Sequence, residues 1–190
     1  MLLRLLKAML FCIETFFTKI RWGKKLKFSG ILRKRIDTQF IISGNSTLNI
    51  GNRVVFFRNV AISSVDNGDF CIGNNVVFNR NCIAICQKQI TIGDNVLFGP
   101  GVTIYDHDHC FGANGVEKGF TTSPVTIEDH CWIGANCIIL KGAHIGKGSV
   151  IGAGCVVKGE ILPYSLVTAD RTLKIRPLEE RKKNQKKDDI

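Results

Sequence analysis

IEDHCW IGANCI ILKGAH IGKGSV IGAGCV V runs from Ile127 to Val157. Read in sixes, each unit opens on an aliphatic residue, and a small residue returns at the fifth place: Cys131, Cys137, Ala143, Ser149 and Cys155. A period of six is neither the 3.6 of a helix nor the 2 of a strand. Each unit must therefore be a short strand plus a turn, stacked so that the aliphatic side chains form a continuous column. Three units close one triangular coil, which makes Ile127 to His144 one coil and Ile145 to Leu162 the next. The expected fold is all-β, a parallel β-helix.

Working upstream, Ile50-Gly51-Asn52-Arg53-Val54-Val55, Ile72-Gly73-Asn74-Asn75-Val76-Val77 and Ile92-Gly93-Asp94-Asn95-Val96-Leu97 repeat the same unit. Gly and Asn recur at the corners because they tolerate left-handed backbone conformations. SSVDNGDF reads as an insertion between the first two of these units, and roughly five to six coils are expected in all. Pro163 is expected to help end the ladder, with residues 164–176 a return strand or loop. The repeat breaks once. Ile104 opens a unit whose fifth position is Asp108, where a small inward residue belongs, and the next clear unit starts at Ile127. The residues between, 105–124, form a long extruded loop carrying DHDH, and a long loop in a compact repeat is a functional candidate.

The rest of the chain divides into an N-terminal segment, 1–27, and a charged tail, 177–190, around a repeat domain over 28–176. In the first 20 residues Arg4, Lys7, Glu14, Thr15, Thr18 and Lys19 share one side of a helical wheel, and large apolar residues cover the rest. That pattern suits an amphipathic helix that caps the β-helix or lies on a membrane surface; its charges argue against a span. The formal charge of +10 sits at the ends, with Arg21, Lys24, Lys25, Lys27, Arg33, Lys34 and Arg35 following the helix. Peripheral membrane contact through residues 1–35 is thus one expectation, beside a helix that caps the coils. No basic-aromatic pattern supports nucleic-acid binding. Of eight cysteines, Cys82, Cys131, Cys137 and Cys155 fall where the repeat needs a small buried side chain, so reduced thiols in a cytoplasmic, reducing compartment are expected rather than disulfides.

VTIYDHDH, the loop after it, and the coil CWIGANCIILKGAHIGKGSVIGAG together resemble the acetyl-CoA-dependent O-acetyltransferases of the hexapeptide-repeat family, in the branch that modifies sugars and surface polysaccharides. The resemblance covers about residues 50–176 and implies a left-handed β-helix, a homotrimer, acetyl-CoA as donor, no metal, and a sugar or lipid-linked glycan acceptor. It places the catalytic base at His109. Spacing alone leaves His107 open, since both histidines would lie on one face of an extended segment. An imidazole suits this chemistry because it takes the proton of the attacking hydroxyl and returns it to the departing thiolate. Asp106, Asp108 or a backbone carbonyl is expected to orient it, and backbone N–H groups to hold the oxyanion. The resemblance further assigns Asn79, Trp132 and Asp108 to the acceptor side. It assigns Gly134, Ala135, Ala153 and Lys158 to CoA, with Lys174 a partner for the nucleotide phosphates. Asp170 to Lys174 departs from the family's usual Gly-Asn-Pro-Ala step. Competing readings are an amino-sugar N-acyltransferase, a zinc enzyme built from three of His107, His109, His130 and His144, and a non-catalytic scaffold.

Overall fold

The computed structural model describes residues 9–10, 13, 16–18, 20–29, 33–35 and 37–169. The tail 177–190 and Lys174 lie outside the described residues, as do Arg4, Lys7, Glu14, Thr15 and Lys19 of the helix. The described chain winds into a parallel β-solenoid with three faces. Sheet A stacks Leu26–Phe28, Thr47–Ile50, Asp69–Ile72, Gln89–Ile92, Val125–Ile127, His144–Ile145 and Glu160–Ile161. Sheet B stacks seven strands from Arg33–Lys34 to Leu166–Val167, and sheet C six from Gln39–Ile42 to Val156–Val157. Every ladder pair between coils is parallel, and the first strand begins two residues before the expected boundary at 28.

The coil width follows the register. Leu26 pairs with Leu48 and Ile50 with Ile72; later Ile127 pairs with Ile145, but Ile145 pairs with Ile161. The solenoid therefore narrows toward its C-terminal end, and the last coil closes earlier than a strict count of sixes gives. SSVDNGDF is no insertion: Ser63 and Ser64 end one strand of sheet C, and Asp69 opens the next of sheet A. Ser64 is fully buried; its hydroxyl donates to the Gly68 carbonyl, while the Gly68 N–H donates to Ser46 Oγ. These hydroxyls add second partners to backbone groups already paired at the wider corner, the Gly68 N–H with the Val65 carbonyl and the Gly68 carbonyl with the Thr47 N–H. Pro163 does not stop the ladder either. It sits at a corner, where no ladder N–H is needed, and the chain goes on into Leu166–Val167 of sheet B.

Corner chemistry and core packing both repeat by coil. Arg53, Asn75, Asn95 and His130 occupy the same A–B corner, each with φ between 57° and 61°, a conformation in which Asn is well tolerated. Neighbouring corners are bridged by side chains, as in Asn75 Nδ2 to Asn95 Oδ1 at 3.0 Å and Asn59 Nδ2 to Asn81 Oδ1 at 2.9 Å. Inside, Phe56, Phe78 and Phe98 stack along sheet B at 5.2 and 4.6 Å with rings nearly parallel. Offset aromatic contacts of this kind contribute ~1 kcal/mol per pair beyond their area. Ile133 and Ile151 continue the row.

Outward rows separate the faces. Sheet A presents Lys27, Asn49, Cys71, Thr91, Thr126, His144 and Glu160. Sheet B presents Arg33 in its first strand and then Val55, Val77, Leu97, Trp132, Val150 and Leu166. Sheet C presents Gln39, Ala61, Ile83, Thr103, Ile138 and Val156. One face is polar and two are largely apolar.

The seven described cysteines form no disulfide, and Cys82, Cys86, Cys131, Cys137 and Cys155 are buried. Burial pushes the Cys82 thiol up to about 11 and raises those of Cys86 and Cys131 as well. A raised thiol holds less reactive thiolate at neutral pH. Iodoacetamide followed by mass spectrometry is therefore expected to modify Cys110 and, slowly, Cys71, and to reach the five buried positions only in denaturant.

Candidate active site

The chain leaves sheet C at Thr103–Tyr105 and turns at Asp106 into an antiparallel hairpin, His107–Gly112 against Gly115–Thr122, before entering sheet A at Val125. The expected loop is thus a paired excursion from the C–A corner. Its neck is closed by the Ser123 N–H donating to the Asp106 carbonyl at 2.8 Å.

Asp106 is the anchor of this corner. The residue is fully buried, and its carboxylate accepts from the backbone N–H groups of Gln87, Lys88 and Gln89 at 2.7–3.1 Å, all on the same corner one coil earlier. Asp106 Oδ1 also lies 3.0 Å from His107 Nδ1. Three backbone donors fix the carboxylate, and the carboxylate fixes the imidazole. The His107 side chain is only 12% exposed, with its ring edge-on to Tyr105 and to Phe120.

His109 differs. It is exposed, its ring lies tilted on Phe120 with centroids 4.6 Å apart, and it makes no hydrogen bond among the described residues. Phe120 is its cross-strand partner, so the two histidines share one aromatic ring. Asp108 Oδ2 lies 3.1 Å from Lys141 Nζ, which also donates to Thr121 Oγ1. Lys141 thereby ties both hairpin strands to the next C–A corner. Sequence reasoning missed this lysine, since KG at a corner of the repeat looks like ordinary surface. Cys110 sits beside the bulge of the hairpin, its sulfur near Gly119.

The remaining expected residues fall on two corners. Lys158 follows Val156–Val157 of sheet C and so joins His107, Asp108, His109 and Lys141 along the C–A corner. Asn79, Gly134, Ala135 and Ala153 lie on the B–C corner, and Trp132 projects from sheet B, 55% exposed. Asn79 Oδ1 accepts from the Arg80 N–H at 2.8 Å, a local turn contact. Gly134 packs against the next coil so closely that a Cβ there would stand 2.6 Å from the Ala153 nitrogen. Only a residue without a side chain allows the backbone of these coils to approach as it does. Within one chain, then, the histidine corner and the small-residue corner are separated by sheet C. His130 and His144 join neither corner: His130 is an A–B corner residue, and His144 Nε2 faces Glu128 Oε1 at 2.9 Å on sheet A.

Residues 124–158 match a family model described as the hexapeptide repeat of succinyl-transferase. A putative acetyltransferase of Schizosaccharomyces pombe is 40% identical over 111 residues, 56% of this chain and 52% of its own length. The galactoside O-acetyltransferase of Escherichia coli strain K12 is 36% identical over 117 residues, 60% of this chain and 56% of its own. Residues 124–158 thus carry the hexapeptide repeat, and the matched part of the chain is similar to acetyltransferases. The chain spans about half the length of these curated relatives. A crystal structure of a hexapeptide-repeat acetyltransferase from Vibrio cholerae superposes with a TM-score of 0.55 at 28% identity, over 68% of this chain and 73% of that one. An N-acyltransferase from Bacillus cereus, solved with dTDP and 3-hydroxybutyryl-CoA, superposes with a TM-score of 0.66 over 86% of this chain and 88% of that one; at 20% identity this shows the shared fold. The expected all-β class and left-handed β-helix are those of the acetyltransferase structures that this hexapeptide-repeat chain matches.

Proposed function

We propose that the chain is an acetyl-CoA-dependent O-acetyltransferase that modifies a hydroxyl of a sugar or polysaccharide precursor. The observation that carries this reading is the C–A corner: an exposed His109 on a hairpin anchored by Asp106, in a chain 36% identical to a galactoside O-acetyltransferase over the matched region. His109 takes the proton of the acceptor hydroxyl as its oxygen attacks the thioester carbonyl. The tetrahedral oxyanion collapses, the carbon–sulfur bond breaks, and the imidazolium returns the proton to the CoA thiolate. No acyl-enzyme is needed. His107, locked by Asp106, holds Phe120 from one side while His109 rests on it, and so acts as a positioning residue.

We further propose that the working unit is a homotrimer. Two outward faces are largely apolar and one is polar, which suits burial of sheets B and C between copies with sheet A left in water. Such packing would bring the B–C corner of one copy, with Asn79, Gly134, Ala135 and Ala153, against the C–A corner of the next. CoA would then lie between coils of two chains, with Trp132 toward the acceptor and Lys158 near the donor. In this reading Asp108 acts on the acceptor side through the Lys141 strut.

Calorimetry of the purified protein with acetyl-CoA is expected to show saturable binding near one site per chain, and sedimentation a trimer. An acceptor screen with hydroxyl and amine sugars then separates O- from N-acylation. A trimer with no affinity for acetyl-CoA or CoA would overturn the reading.

A further inference from the structure

The helix ahead of the first coil has its apolar stripe turned to solvent, and we propose that this stripe docks the protein on an anionic lipid surface. Residues 9–10, 13, 16–18 and 20–22 are helical. Met9, Leu10, Ile13, Phe16, Phe17 and Ile20 are all exposed, by 44–64%. At about 100° per residue these six fall within about 120° of the helix circumference. Trp22 lies on the opposite side and packs on the solenoid core, and Phe17, Thr18 and Arg21 line a groove there with Thr38 and Phe40, so that one edge of the stripe borders the solenoid while staying exposed. The helix thus meets the β-helix mainly through Trp22, with Phe17 at the margin of the contact and the other five stripe residues away from it. A capping helix would turn this stripe inward, where its burial would stabilise the end of the core. As built, the stripe is left for something outside the chain.

Charge decides the occupant. Arg21, Lys24, Lys27, Arg33 and Arg35 follow the stripe within the first coil, are exposed, and pair with no carboxylate among the described residues. Basic residues beside an exposed apolar helical stripe complement a surface that is anionic outside and apolar beneath, which is the chemistry of an acidic phospholipid leaflet. No helix among the described residues is long and apolar enough to cross a membrane, so the contact is with the surface. The inference does not depend on the acetyltransferase reading.

The test is co-sedimentation of the full chain with vesicles of phosphatidylcholine alone or mixed with phosphatidylserine. Binding to the mixed vesicles that weakens as salt rises is expected, with little binding to phosphatidylcholine. Phe16→Glu with Ile20→Glu is expected to abolish it, and Lys24→Glu with Lys27→Glu to weaken it about tenfold or more. Both variants should keep the wild-type melting curve and oligomeric state. Equal binding to neutral vesicles, or none to either, would overturn the proposal. So would a change of oligomeric state in Phe16→Glu/Ile20→Glu without lipid, because the stripe would then be an interface between copies.

Discussion

His109→Ala is expected to lower acetyl transfer to the acceptor by about 10²–10⁴-fold, the usual contribution of a positioned acid–base group, while leaving acetyl-CoA affinity and melting temperature unchanged. The side chain is exposed, rests on one ring and makes no hydrogen bond among the described residues, so its removal leaves little in the fold unsatisfied. What disappears is the proton acceptor. The acid limb of the wild-type pH–rate profile should vanish from the residual activity of the variant, because that limb reports protonation of the base. His107→Ala is the necessary companion. As a positioning residue it should lose less rate and keep the acid limb. A His107→Ala variant that loses both, beside a nearly active His109→Ala, would move the base to His107 and make Asp106–His107 the catalytic pair.

The second large effect is on stability. Asp106→Asn keeps the shape of the side chain but replaces one acceptor oxygen with an NH₂ group aimed at a site that already holds three backbone N–H donors. With its amide oxygen in the Oδ2 place, the new side chain still accepts from all three backbone N–H groups, but its NH₂ then faces the Gln87 N–H and His107 Nδ1, and a buried donor left without an acceptor costs about 1–3 kcal/mol. We expect a loss on the order of 2 kcal/mol and a melting point lower by about 4–8 °C for a chain of this length. The hairpin corner should loosen first, since Asp106 links it to the coil before it. An unchanged melting point in Asp106→Asn would show that the corner stands without the carboxylate.

Much of the solenoid is legible in the sequence because its signal is periodic and redundant. Ile127, Ile133, Ile139, Ile145 and Ile151 are all essentially buried, and the small fifth-position residues between them are buried too. The early coils are harder to read because their corners are wider, and the inward serines Ser46 and Ser64 bond to backbone groups where an aliphatic residue is expected. Two-residue strands such as Leu166–Val167 carry too little pattern to be told from loop, which hides the last rung behind Pro163. The hairpin is illegible for a different reason. All of Gly115–Thr122 is exposed, so no alternation of apolar and polar residues marks it as a strand. Within the site, motif resemblance points to His109, but the sequence cannot say which aspartate orients a histidine. That depends on Asp106 being drawn inward by backbone donors seventeen to nineteen residues earlier in the chain.

The closed neck of the hairpin has an evolutionary consequence. Because Ser123 and Asp106 are already bonded, the ends of the excursion are held together by the coils and not by the residues between them. Lengthening such an excursion costs only about 0.6 kcal/mol for each doubling of its length, a sum the repeat can absorb without altering a rung. The hairpin is thus an exchangeable cassette on a fixed frame: residues 110–119 can be rewritten in descendants of this chain while Phe120, the two histidines packed on it and the coils stay as they are.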